Sequence, residues 1–157
     1  MKVEPEKLPY DPFRGSETVT LQELLDDLFE EELEDGASFI GENSLTVNSG
    51  SWVGGDRPLH EVARRGNARC IQLLLDAGAD PNLKGEDSFT PLEVAVSRGY
   101  LDVARLLLEA GARIDSVNEL NYSALGCCSP NGYKPNPEMF DLLQSYWPGV
   151  IPHEVRG

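Results

Sequence analysis

Histidine, positive charge and long apolar runs are all scarce in this 157-residue chain, and each scarcity closes off a class of function. The two histidines are His60 and His153. No nucleophile-elbow pattern, Walker loop or glycine-rich dinucleotide turn accompanies them, so no catalytic set and no enzyme is expected. The three cysteines, Cys70, Cys127 and Cys128, are an odd number without a regular framework, which argues against a disulfide scaffold. Cys70 falls in an apolar helical run, where a reduced thiol packs as a small hydrophobe. Cys127 and Cys128 are adjacent, and no CxxC spacing or histidine pairing makes them a zinc site. Neither a metal nor a cofactor is expected. No apolar run approaches the roughly 18–20 residues of a membrane span. The opening stretch MKVEPEKLPYDPF lacks the apolar centre of a signal peptide, so the cytoplasm is the default location.

Lysine and arginine number 13 against 27 aspartates and glutamates, a net charge of −14. Such an excess repels phosphate backbones and anionic bilayers, so neither nucleic acid nor membrane is expected as a partner. It attracts a basic protein and speeds that encounter at low salt. Solubility alone accounts for the charge equally well. The acid is unevenly spread: residues 1–43 carry 13 acids and 3 bases, a net of −10, and residues 44–157 a net of −4.

What the chain does have is a repeat. Asp56-Arg57-Pro58-Leu59-His60-Glu61-Val62-Ala63-Arg64-Arg65-Gly66 is echoed 33 residues on by Phe89-Thr90-Pro91-Leu92-Glu93-Val94-Ala95-Val96-Ser97-Arg98-Gly99. Leu73-Leu74-Leu75-Asp76-Ala77-Gly78-Ala79 returns in the same register as Leu106-Leu107-Leu108-Glu109-Ala110-Gly111-Ala112. Thr90-Pro91 starts a helix, the threonine as cap and the proline where no N–H is needed. Gly66 and Gly99 end the first helix of each copy. Ala68–Asp76 and Leu101–Glu109 carry apolar residues at helical spacing and form the second helices. A third, weaker copy keeps Leu125 and Gly132 in register, then breaks at Tyr133–Pro137. Its second helix is expected over Glu138–Tyr146, with Trp147-Pro148 and Val150-Ile151-Pro152 as an apolar tail.

Ahead of the repeats, Thr20-Leu21-Gln22-Glu23 is a capping box. Leu21, Leu24, Leu25, Leu28, Phe29 and Leu33 predict a helix over 21–34. Its apolar stripe needs cover, which makes it an N-terminal cap for the first repeat. Its other face carries Asp26, Asp27, Glu30, Glu31, Glu32 and Glu34, an acidic face suited to steering a partner. The consecutive glutamates diverge around the helix and do not form a hard-cation site. Phe39-Ile40 and Leu45-Thr46-Val47 read as an extended or strand-like link. The expected organisation is an irregular segment over 1–17, an acidic helical cap and link over 18–45, and a repeat region with a C-terminal capping repeat and tail over 46–157.

A 33-residue period with a Pro-Leu-His start resembles the ankyrin repeat. The resemblance covers about residues 46–147. It implies a mostly α fold, a solenoid of helix-turn-helix units with the acidic helix added at its N-terminus. It also implies that the threonine and histidine of the motif hydrogen-bond within and between repeats. Arg57 stands in place of that threonine in the first copy, Glu93 in place of the histidine in the second, and Gly126 in place of the histidine in the third. His60 takes the structural reading, not a catalytic one.

Ankyrin proteins bind through turn tips and the inner helices beside them. The matching turns here are Ser51–Arg57, Leu83–Phe89 and Val117–Tyr122. Trp52 is either a contact hot spot or a lid over the N-terminal cap. Phe89 and Tyr122 either brace the turn bases or line the groove. Arg57 lies at the end of the first turn. Arg64, Arg65 and Arg98 meet acids on a partner or pair with nearby Glu and Asp. Glu86, Asp87, Asn118 and Glu119 supply polar tips. Small acidic ankyrin chains resemble bacterial antidotes that occlude a basic toxin. The expected function is therefore that of a monomeric inhibitor or immunity protein. The alternative is an ankyrin scaffold or adaptor within a multiprotein complex.

Overall fold

A computed structural model describes residues 10–30, 45–50, 55–128 and 136–147, and its described residues contain seven α-helices and no strand. They are α1 (Leu21–Leu28), α2 (Pro58–Arg65), α3 (Ala68–Asp76), α4 (Pro91–Arg98), α5 (Leu101–Glu109), α6 (Ala124–Cys127) and α7 (Pro137–Ser145). Helices α2–α3, α4–α5 and α6–α7 pack as pairs. Within the stack α2 packs on α4 and α4 on α6, while α3 packs on α5 and α5 on α7. The result is two layers, an inner row of first helices and an outer row of second helices, as a helical repeat solenoid requires.

Each boundary has a local cause. Thr90 caps α4, its hydroxyl accepting from the Glu93 amide at 3.3 Å, and Pro91 opens the helix. Gly66 and Gly99 take left-handed conformations at φ 75° and 77°. At Gly66 a Cβ would also lie 2.8 Å from the ring of Tyr100, so the next repeat seals the position against any side chain. Ala63 and Ala95 are buried on the inner helices and let neighbouring backbones approach. Leu59, Ile71, Leu74, Leu92 and Leu107 form the continuous core, each contributing about 1.5–3 kcal/mol. The third pair is thinner, since α6 has four residues where α2 and α4 have eight. Asn136 restarts the chain at α7 by accepting from the amides of Glu138 and Met139.

Two expectations change. The helix predicted over 21–34 is interrupted: α1 stops at Leu28, Phe29 leaves helical geometry at φ −115° while its ring is buried, Glu30 is helical again, and residues 31–34 lie outside the described residues. The segment Leu45–Val47 is no strand. Its residues enter a turn in which the Thr46 amide donates to Ser49 Oγ and the Ser49 amide to the Thr46 carbonyl. Phe39, Ile40 and the expected tail beyond Trp147 lie outside the described residues.

The irregular N-terminal segment is tied down from residue 10. Asp11 accepts from Asn67 Nδ2 at 3.0 Å, Arg14 Nη2 donates to the Arg65 carbonyl at 3.2 Å, and the Tyr10 ring lies 5.7 Å from the Arg65 guanidinium carbon. Helix α1 packs on both α2 and α3, covering the open end of the first pair.

Candidate functional site

The turns that precede the inner helices are positioned by bonds between repeats. At the first junction His60 is fully buried, and both ring nitrogens are used. Nδ1 accepts from the Arg57 amide at 3.0 Å, and Nε2 lies 2.8 Å from the Phe89 carbonyl. That pair of bonds fixes the neutral tautomer with its proton on Nε2. Burial pushes the His60 pKa down, against the Phe89 bond and the nearby Asp56 carboxylate, which favour the charged form. Asp56 ties the two turns together: Oδ1 accepts from the Glu86 amide at 2.8 Å, and Oδ2 pairs with Arg64 at 2.7 Å. Burial works against its charge, but those two bonds outweigh it and hold Asp56 below the usual carboxylate range. Gly85 passes so close that a Cβ would strike the Asp56 carboxylate and lie 3.0 Å from His60 Nε2.

At the second junction Glu93 occupies the position of His60 and is also fully buried. Its Oε2 accepts from Asn118 Nδ2 at 3.0 Å, while Oε1 is buried with no hydrogen-bond partner. Burial pushes its pKa up, against the Asn118 and Thr90 bonds. Asn118 in turn organises the third turn: Oδ1 accepts from the amides of Leu120 and Tyr122 at 3.0 and 3.1 Å. Asp87 and Ser88 take left-handed backbone at φ 51° and 61°. This lets the Asp87 carbonyl accept from the Glu119 amide at 3.0 Å, and Ser88 Oγ lies 3.1 Å from Glu119 Oε1.

A third set of bonds joins the outer layer. Asn82 bridges two repeats, its amide group donating to the Gly111 carbonyl and its oxygen accepting from the Arg113 amide. Asn48 does the same to Gly78 and Asp80. The segment before the first clear repeat is therefore already part of the array.

A groove of about 200 Å³ opens beside α4. It gathers five of the residues singled out from the sequence, Arg64, Glu86, Asp87, Phe89 and Arg98, and adds Asp56, Val94 and Ser97. Glu86, Asp87 and Arg98 are exposed there and Phe89 is half-buried. Glu119 and Tyr122 are exposed on the neighbouring turn.

Other expected contacts are turned inward. Asn118 is 4% exposed and serves the turn rather than its tip. Arg65 is 6% exposed, pairing with Asp27 at 2.8 Å and with Glu61 at 3.3 Å. Asp27 therefore fastens α1 to α2 and is not a free steering charge. Arg57 is half-buried, Nη1 donating to the Asn48 carbonyl at 3.2 Å while Nε is buried without a partner. Arg64 lines the groove but is held by Asp56 and Glu61. Asp26 is exposed and accepts from Gln22, and Glu30 is exposed. Trp52, Glu31 and Glu34 lie outside the described residues.

No group of three or more His, Cys, Asp or Glu that could hold a metal occurs among the described residues. The cysteine thiols are buried, which pushes Cys70 and Cys128 up to about 11 and Cys127 to about 12, far from a reactive thiolate. No described helix is long and apolar enough to cross a membrane.

The family model described as ankyrin repeats (3 copies) matches residues 21–118. The chain belongs to the ankyrin-repeat family. The matched span begins at α1, ahead of residue 46 where the 33-residue period becomes readable, and α1 packs on both helices of the first pair. Protein phosphatase 1 regulatory subunit 27 of Mus musculus is 36% identical over 96 residues, 61% of this chain and 62% of that protein. Its Homo sapiens counterpart aligns to the same extent. Ankyrin repeat domain-containing protein 37 of Xenopus tropicalis is 40% identical over 50 residues, 32% of this chain and 31% of that protein. The chain thus spans less than two thirds of the length of these relatives. An ankyrin fold suggests a protein-binding module with no catalytic role of its own.

Proposed function

We propose that this protein is a non-catalytic regulator that seats another protein against the groove beside α4 and covers part of its surface. The observation that carries the reading is the groove itself, which puts Phe89 and Val94 beside Asp56, Glu86, Asp87 and Arg98 on turns fixed by His60 and Asp56. The groove's accessible lining is mainly polar, with Glu86, Asp87, Ser97 and Arg98 exposed around the half-buried Phe89 and Val94 buried beneath them. Polar groups around an aromatic suit a protein partner, and fixed turns lower the ordering cost of binding. A partner that is basic where it meets the turns is favoured by the acidic tips and by the net charge of −14. That charge also opposes self-association, so the reading includes a monomer. The cytoplasm remains the default location.

The relatives named as regulatory subunits favour regulation by binding over a fixed scaffold role. The narrower antidote reading, occlusion of a basic toxin, rests on charge and small size alone. The test is co-purification from the native host under graded salt, with the wild type beside a Phe89→Asp/Arg98→Glu variant of unchanged melting temperature. One protein that is enriched by the wild type and lost from the variant is expected. A complex that survives both the variant and high salt, and needs residues 1–17, contradicts it and makes the chain an adaptor.

A further inference from the structure

Among the described residues, five large apolar side chains are exposed, and three of them stand on one turn: Val117 at 45%, Leu120 at 59% and Tyr122 at 41%. Exposed apolar side chains grouped in a contiguous patch, rather than scattered singly, mark interaction sites. The turn is also held in place. Asn118 accepts from the amides of Leu120 and Tyr122, the Asn118 amide donates to the Tyr122 carbonyl at 3.0 Å, and Lys84 Nζ donates to the Val117 carbonyl at 3.1 Å. Asn121 takes the left-handed backbone that closes it, at φ 65°.

Charge beside the apolar tip is mainly acidic. Glu119 stands on the same turn, and its bonds to Asp87 and Ser88 bring the exposed Glu86–Asp87 tip alongside. Lys84 is the cation on these two turns, and its ammonium is directed to the Val117 carbonyl.

We propose that the third turn is an anchor for a protein segment in which an apolar side chain is flanked by lysine or arginine. The apolar side chain covers Leu120 and Tyr122, and the flanking cations meet Glu86, Asp87 and Glu119. A second copy of this chain does not fit, because it would bring the same acids, and the same net −14, against each other. The turn is ordered before contact, so binding meets little of the entropy cost a loose loop would add. The inference rests on the protein-binding reading and names the anchor and the partner's chemistry within it.

The test pans a random-peptide library on the immobilised full chain, then measures a selected peptide by fluorescence anisotropy. The proteins compared are the wild type, Leu120→Asp, Glu86→Lys/Asp87→Lys and Arg98→Glu. These positions are exposed, and unchanged melting temperatures confirm that the variants fold. Selected peptides are expected to place Lys or Arg beside Leu, Ile or Phe. Leu120→Asp is expected to weaken binding about tenfold or more, and Glu86→Lys/Asp87→Lys to flatten its salt dependence. Acidic winners, or an affinity that Leu120→Asp leaves unchanged, overturn the anchor. Binding lost in Arg98→Glu alone moves the contact to the groove, so that the anchor fails and the protein-binding reading survives. No enrichment overturns the anchor, leaving the broader reading to the host-partner experiment. A dimer seen by light scattering that Leu120→Asp dissolves assigns the tip to a second copy and overturns it as well.

Discussion

The two junctions of the repeat array use the same backbone position in opposite ways. At the first, His60 is neutral, buried and bonded through both nitrogens, to its own helix start and to the next turn. At the second, Glu93 is a buried carboxyl with one oxygen bonded and the other without a partner. An unsatisfied buried acceptor costs about 1–3 kcal/mol. The first junction therefore fixes its turn through the motif residue itself. The second transfers the task to Asn118, which reaches back to Glu93 from the turn it organises. A repeat period conserves the place where a turn must be secured, and leaves the securing group free to vary.

The largest effect is expected from breaking the first junction. His60→Ala leaves the Arg57 amide and the Phe89 carbonyl without the imidazole and opens a cavity, lowering stability by about 3 kcal/mol in urea titration. Asn118→Ala strikes the second junction and is expected to cost less, about 2 kcal/mol. The freed Leu120 and Tyr122 amides lie on an exposed turn where water replaces the lost bonds, but Glu93 loses the Asn118 donor. An equal or greater loss than in His60→Ala would erase the difference between the junctions.

A smaller effect separates them by sign. His60 has a lowered folded pKa, so the unfolded chain binds the extra proton and stability falls as pH drops below 6.5 towards that lowered value. Glu93 has a raised folded pKa, so the native state binds the extra proton. Its contribution to stability rises as pH falls through the raised value and levels off near the ordinary 4.5. Any stability gap in favour of Glu93→Gln over the wild type should therefore shrink as pH is lowered from about 7.5 to about 5. A gap that widens would mean that Glu93 is held charged. The smallest effect is at Arg113, whose exposed pair with Asp115 spans 3.1 Å. Arg113→Ala should leave the urea midpoint where it is, because a solvated pair contributes little.

The helical array and its boundaries were legible because period and caps are local signals. Pro58 and Pro91, Gly66 and Gly99, and the Thr20–Glu23 box each act within a few residues. The direction of a polar side chain was not legible, because it depends on a partner far along the chain. Asn118 reads as a tip residue until Glu93 is seen 3.0 Å away from it. Arg65 reads like Arg64, but neighbours on a helix point about 100° apart, and only Arg65 meets Asp27 from α1. Asn48 escaped the period because it precedes Asn82 by 34 residues, not 33, and only their matching bonds reveal the equivalence. Leu120 and Val117 escaped for a different reason: exposure of an apolar residue carries no sequence pattern.

The most direct test of the account is hydrogen–deuterium exchange on the full chain, with and without the partner recovered from the native host. The account predicts added protection over residues 83–98 and 117–126, which carry the groove, α4 and the third turn, with α1 unchanged. Protection confined to α1 and its acidic face, with the turns exchanging as in the free protein, would contradict it.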